Sequence, residues 1–285
     1  MKKIKKHKML VVAISSIIGI ATIFGMLFYN NQFYAQRVID AIKQENVTQL
    51  KTLMESPMGN LNSKPTFWIF EVLSERNELT PLQTACKVGN PEIVEILLES
   101  GADVNFMHWD ESRNQGSPLT IAAGSLSDQR LQVIKLLMEY DADINYENAI
   151  GNDVLSCAIY ASFERWDTLE IIEYLEQHGK DIYKKHPRNG NTLLHKACES
   201  DSLLVIQYLI NDRRFDINAV NADGDTPLIC FLRFASSRKL DTLQFLLQSG
   251  ADTNIKNNEG KTAYDYAAER HPEFVEFLEG QDKTD

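Results

Sequence analysis

Apolar side chains recur along this chain on two scales. On the short scale they fall three and four residues apart: Ile93, Ile96 and Leu97 share one face of a 3.6-residue turn, with polar residues between them. That spacing predicts short amphipathic helices. On the long scale the pattern restarts, with Leu82, Leu119, Leu155, Leu194, Leu228 and Tyr264 in equivalent places, 37, 36, 39, 34 and 36 residues apart. Such a period means that one supersecondary unit is copied, and that the copies stack to supply a core none could bury alone. Each copy is predicted to hold two helices. In the clearest, Thr80-Pro81-Leu82-Gln83-Thr84-Ala85 opens the first: Thr caps it, Pro takes the first helical position where no N–H is needed, and Leu starts the buried face. Asn90-Pro91 opens the second, and Asp167, Asp201 and Asp241 are expected to do the same in later copies. Gly101 and Gly250 suit a left-handed helix end.

Ser117-Pro118-Leu119-Thr120-Ile121-Ala122-Ala123 repeats the opening, and Thr226-Pro227-Leu228, Thr192-Leu193-Leu194-His195, Thr262-Ala263-Tyr264 and Asp153-Val154-Leu155 are looser copies. Gly101-Ala102-Asp103-Val104-Asn105 has echoes at Asp141-Ala142-Asp143-Ile144-Asn145, Phe215-Asp216-Ile217-Asn218 and Gly250-Ala251-Asp252-Thr253-Asn254. Together these residues resemble the ankyrin-repeat family. The resemblance implies an all-α solenoid of stacked helix pairs with projecting β-turn fingers. It covers residues 33–285: an N-terminal capping pair at 33–56, repeats starting near 80, 117, 153, 192 and 226, and a C-terminal cap at 262–280. Between the first cap and Thr80, the stretch from Pro57 to Leu79 contains Phe67-Trp68-Ile69-Phe70 and is expected to pack over the first unit.

Charge places the chain. Residues 2–8 hold five lysines and a histidine, and residues 9–29 hold no charge at all. Twenty-one residues at helical rise span about 31 Å, close to the hydrocarbon core of a bilayer. A transmembrane signal-anchor over 9–29 is therefore expected, with a basic cytoplasmic tail at 1–8 and the array outside the cytoplasmic membrane, in the periplasm or an equivalent space. A cleaved signal is the alternative, but the run exceeds the ~7–15 apolar residues of a signal core. Setting aside the five tail lysines leaves 24 basic and 40 acidic residues, a balance of −16. That balance repels nucleic acid and anionic lipid surfaces and steers a basic protein patch toward the array.

Cys86, Cys157, Cys198 and Cys230 all sit in first helices, at positions that want a small apolar residue. Adjacent packed helices stand about 8–10 Å apart, too far for a bridge that needs Cα atoms within ~7 Å, so buried thiols are expected. Cys198 beside His195 lacks the further ligands of a metal site, and no metal or cofactor is expected. No nucleophile elbow, phosphate loop or His-Glu-x-x-His helix occurs. The resemblance gives His195 a bridging role between turns of adjacent units. A catalytic function is not expected.

Departures from the shortest repeat mark where specificity would lie. From the first-helix Leu to the second helix, the first and fourth units take 11 residues, and the second, third and fifth take 14, 16 and 14. The added residues include Phe163, Trp166 and Phe234; Phe163 and Trp166 are expected to cover the undersides of their own loops. The finger after the first unit is also long and holds Met107, His108 and Trp109. The family's contact positions lie after the second Ala of the first helix and on the fingers. Carried onto this chain, they give a concave strip of Lys87, Trp109, Asn114, Gln115, Tyr160, Lys184, Lys185, Arg188, Asn221, Asp223, Arg233 and Phe234. Its mixed charge suits a protein surface better than a polymer. The expectation is a monomeric, single-pass, membrane-anchored module that binds a protein. Exported bacterial members of the family recurrently neutralise toxins, including lipases delivered into the periplasm. Occlusion of a secreted enzyme is thus one function, and an envelope scaffold or stress-protective protein is the other.

Overall fold

The structure, a computed structural model, describes residues 34, 36–55, 79–106, 116–148, 151–161, 165–234 and 240–279. The tail, the 9–29 segment, the 57–78 stretch and the Met107-His108-Trp109 loop lie outside them, as do Asn114, Gln115 and Phe163. Among the described residues no helix is long and apolar enough to cross a membrane. The chain forms two compact units, residues 1–103 and 104–285.

The first unit holds a helical segment over 36–43, then α1 (Val47–Met54), α2 (Pro81–Val88) and α3 (Pro91–Glu99). Asn46 caps α1 by accepting from the Gln49 N–H at 3.0 Å. Thr80 and Gln83 form a reciprocal capping box on α2, and Asn90 accepts from two N–H groups at the start of α3. These caps satisfy donors that a helix end would otherwise leave open. Gly89 ends α2 and Gly101 follows α3, both left-handed at φ 79° and 91°. Ile42, Leu50, Leu82, Ile93 and Leu97 are fully buried, so the apolar stripe read from the sequence is the core.

Among its described residues the second unit holds five helix pairs: α4 (Pro118–Ala123) with α5 (Arg130–Glu139), α6 (Val154–Tyr160) with α7 (Asp167–Gln177), α8 (Leu193–Glu199) with α9 (Leu203–Asn211), α10 (Pro227–Phe234) with α11 (Leu240–Gln248), and α12 (Ala263–Arg270) with α13 (Pro272–Glu279). First helices pack on first helices in order, and second helices follow in a parallel row through α11. This is the solenoid that the repeat period demands. The Asp-x-Asn stretch acts twice. Its Asp carboxylate takes the N–H two residues on, as Asp143 does from Asn145 at 2.9 Å. Its Asn bridges to the next unit: Asn105 donates to the Asp141 carbonyl and accepts from the Asp143 N–H, and Asn218 does the same with Gly250 and Asp252.

Three of the expected second-helix caps are not caps. Asp167 is already inside α7, where its carboxylate holds Arg130 and Arg165. Asp201 is left-handed at φ 51°, and its side chain accepts from the Thr242 hydroxyl at 2.8 Å, one unit away. Asp241 lies within the first turn of α11. In each case the carboxylate serves a neighbour or the helix dipole rather than its own helix end.

Candidate protein-binding face

The sequence candidates among the described residues lie near first-helix C-termini and on the fingers that precede first helices. In the first unit Lys87 is exposed near the end of α2. In the second unit the candidates fall into three groups.

Around Tyr160, at the end of α6, the polar atoms are already matched. The Tyr160 hydroxyl donates to Glu199 Oε2 at 3.1 Å, and Lys196 Nζ donates to both that hydroxyl (3.1 Å) and Glu199 (2.9 Å). Asn191 donates to the other Glu199 oxygen at 2.7 Å, and Asn221 donates to Asn191 at 2.8 Å. Burial works against the Lys196 charge, but the Glu199 and Tyr160 oxygens outweigh it and hold its pKa above the usual lysine value. Tyr160 as a whole stays 41% exposed. Asn221 spends its carbonyl oxygen on the Asp223 and Asp225 N–H groups, so it builds the finger, while Asp223 remains exposed at the tip.

Around Arg233, at the end of α10, Nη1 donates to Asp225 Oδ2, and Asn257 donates to Asp225 Oδ1 at 2.7 Å. The guanidinium lies over the rings of Phe234 and Tyr266, at 5.7 and 5.8 Å. Phe234 is 56% exposed. The third group, Lys184, Lys185 and Arg188, is exposed along the finger between α7 and α8.

The buried chemistry is structural. His195 is fully buried; one ring nitrogen meets the Asp225 carbonyl at 3.0 Å and the other meets the Thr192 hydroxyl at 2.8 Å and its N–H at 3.2 Å. It thus joins its own cap to the next finger, as the resemblance implied. Burial lowers its pKa against the opposing pull of the Asp225 carbonyl. Cys86, Cys198 and Cys230 are buried and Cys157 is half-buried, all four free. Burial pushes the Cys157 thiol up to about 12 and raises the other three thiols as well, so none is a thiolate nucleophile at neutral pH. Among the described residues no group of three His, Cys, Asp or Glu is placed to hold a metal ion.

Two features escaped the sequence reading. Trp166 is not folded under its loop: it is 75% exposed, with Leu126 exposed nearby on the turn before α5. Arg165 fastens those two turns together, donating to the Leu126 and Ser127 carbonyls and to Asp128 and Asp167. Beneath lies Arg130, fully buried, with Nε and Nη2 on the two Asp167 oxygens at 2.7 and 2.9 Å. A signal for it existed. Arg130 occupies the apolar stripe of α5 with Val133, Ile134 and Leu137, and Asp167 follows 37 residues later, one repeat on.

A family model of ankyrin repeats matches residues 38–148, 158–257 and 214–285. The chain is 28% identical over 191 residues to the nuclear factor NF-kappa-B p105 subunit of Gallus gallus, covering 66% of this chain and 18% of that one. Among solved structures it is similar to the human ASB11 ankyrin repeat domain, with TM-score 0.62 and 23% identity over 85% of this chain and 96% of that one. It is also similar to a chain in the complex of the Bdellovibrio bacteriovorus predatory endopeptidase Bd0816 with immunity protein Bd3460, with TM-score 0.54 and 22% identity over 72% and 97%. At these identities the two structures bear on the fold alone.

Proposed function

The chain belongs to the ankyrin repeat family, and we propose that it is a non-catalytic module, anchored through residues 9–29 outside the cytoplasmic membrane, that neutralises a secreted enzyme by covering it. The observation that carries the binding reading is the pair Tyr160 and Phe234. Both stand exposed at the ends of first helices, while the polar groups around them are matched within the protein. Large aromatic rings on a rigid, internally satisfied surface are the usual anchors of a protein interface. An acidic, anchored chain without a nucleophile or metal site among its described residues is suited to occlusion rather than reaction. The immunity complex that shares the fold is consistent with that role and fixes no partner for this chain.

The test is capture with the full-length chain in non-ionic detergent, offered its own cell-envelope extract and the products of neighbouring genes. Capture of one secreted enzyme with loss of its activity is the expected result. Phe234→Ala should then weaken capture about tenfold, ~1.4 kcal/mol, without moving the unfolding midpoint. Capture of resident envelope proteins alone would replace neutralisation with scaffolding. Undiminished capture by Phe234→Ala and Tyr160→Ala together would remove this face from the interface.

A further inference from the structure

Charge is unevenly distributed in this protein. Beyond residue 29 the balance is −16, yet Lys184-Lys185-His186-Pro187-Arg188 holds three cations and no carboxylate. All three cationic residues are exposed. They form the tip of the finger between α7 and α8, and that tip is held from within and from both sides. The His186 N–H donates to the Asn191 carbonyl and the Gly190 N–H to the His186 carbonyl, both at 2.8 Å. His186 Nε2 sits 2.7 Å from the Gly151 carbonyl of the preceding finger. Lys185 Nζ donates to the Val220 carbonyl of the following finger at 3.1 Å, and the Asn189 carbonyl accepts from the Ala222 N–H at 2.9 Å. A platform fixed in this way loses little conformational freedom when a ligand lands on it.

Beside the tip opens a cleft of about 50 Å³ whose lining includes Lys180, Lys184, Lys185, Lys196, Glu147 and Asp181. Two of these ammonium groups are matched internally, Lys180 by Asp153 at 2.8 Å and Lys196 by Glu199 at 2.9 Å. Lys184 and Lys185 are the exposed cations at its mouth. The cleft is small and has room for a group the size of a carboxylate.

We propose that this finger receives an acidic loop of the protein partner, whose carboxylates pair with the exposed Lys184, Lys185 and Arg188. The proposal rests on the protein-binding reading above and supplies the chemistry of the partner. A polyanion is the wrong ligand. Nucleic acid or an anionic bilayer extends well past the ~8 Å Debye length of physiological salt. It would also meet the rest of a chain whose balance beyond residue 29 is −16. A short acidic loop meets the finger alone.

The probe is a dye-labelled, end-blocked octaglutamate, titrated against the full-length chain in non-ionic detergent. Saturable binding is expected, weakened about tenfold by Lys184→Glu with Arg188→Glu, ~1.4 kcal/mol, weakened again by added salt, and untouched by Lys43→Glu, at an exposed position outside the candidate face. The single variant Lys184→Glu, at an exposed position, should shift binding in the same direction with an unchanged unfolding midpoint. Absence of saturable binding, or equal binding by the charge-reversed chain, overturns the proposal. So does binding of single-stranded DNA or phosphatidylserine vesicles that depends on Lys184 while octaglutamate is ignored. If a captured enzyme is released by Phe234→Ala but not by Lys184→Glu, the acidic loop is refuted and the protein-binding reading stands. Octaglutamate binding without any protein capture would support the finger's chemistry and count against that reading.

Discussion

Truncating Arg130 should destabilise the second unit by about 3 kcal/mol. The guanidinium is fully buried and makes four contacts: both Asp167 oxygens, the Ala123 carbonyl at 3.1 Å and the Thr168 hydroxyl at 2.5 Å. It therefore ties the end of α4 to the start of α7 across a repeat boundary. Removing one member of a buried ion pair costs about 3–5 kcal/mol, because the other charge stays behind. The low end applies here. The Asp167 side chain keeps 20% exposure, and Arg165 still supplies a cation at 3.2 Å. The Ala123 carbonyl, left without its donor, keeps the figure from falling further, since a buried orphan costs about 1–3 kcal/mol. Urea unfolding followed by far-UV circular dichroism reads the effect. With slopes of about 1–3 kcal/mol/M, the midpoint of Arg130→Ala should fall by roughly 1–3 M. The double variant Arg130→Met with Asp167→Leu should recover most of the loss, because an apolar pair of similar volume replaces a buried ion pair at little cost. A single-variant loss under about 1 kcal/mol, or a double variant no better than the single, would refute the reasoning.

Two further outcomes follow from local geometry. His195 is held neutral by burial, so its folded pKa lies below the unfolded value of about 6.5. Its stabilisation is complete above that pH and is lost as pH falls toward the folded pKa, by up to ~1.4 kcal/mol per pH unit. Urea midpoints at pH 7.5 and 5.5 should show this decline, and His195→Gln, less stable at neutral pH, should flatten it; an unchanged slope would assign the decline elsewhere. Arg214 is left-handed at φ 54° after α9, where Gly179 and Gly250 serve the equivalent turns at 94° and 93°. Relieving about 1–2 kcal/mol of left-handed strain against the ~0.5–1 kcal/mol entropic cost of glycine, Arg214→Gly should raise stability by about 0.5–1 kcal/mol; thermal unfolding checks the sign.

The repeat was legible because its signals are local and redundant. Thr80, Ser117, Thr192 and Thr262 each cap a helix within three residues of themselves, and the apolar stripe needs only the 3.6-residue period. Asp167, Asp201 and Asp241 were misread for the converse reason. A carboxylate before a helix reads as a cap unless its partner is known, and for Asp167 and Asp201 the partner stands 37 or 41 residues away. Trp166 was misplaced likewise. An aromatic at the mouth of a helix reads as loop packing, but Arg165 fills the space beneath that turn with hydrogen bonds to carbonyls and carboxylates, and the indole is left outside. On the candidate face, the sequence assigned Tyr160 and Arg233 to first-helix ends and Asn221 to a finger, and those are the elements that hold them. It could not say that their polar atoms answer one another, since that depends on side chains from three successive repeats.

That internal answering narrows what the face can recognise. A hydrogen-bonding group already matched within the protein gives a partner little to gain, because a new contact must first break an old one. Asn191, Asn221, Glu199 and Asp225 are matched in this way, so specificity falls to groups that stand exposed: Tyr160 and Phe234, and the cations of the finger after α7. The two act over different distances. The −16 balance beyond residue 29 sets a long-range field that draws a basic surface toward the protein. The finger acts only within a Debye length and asks for an acidic loop at one point. A uniformly charged polymer satisfies one of these conditions and violates the other. A folded partner with a basic surface and one acidic loop satisfies both, and its orientation on the array is then set by where that loop lies.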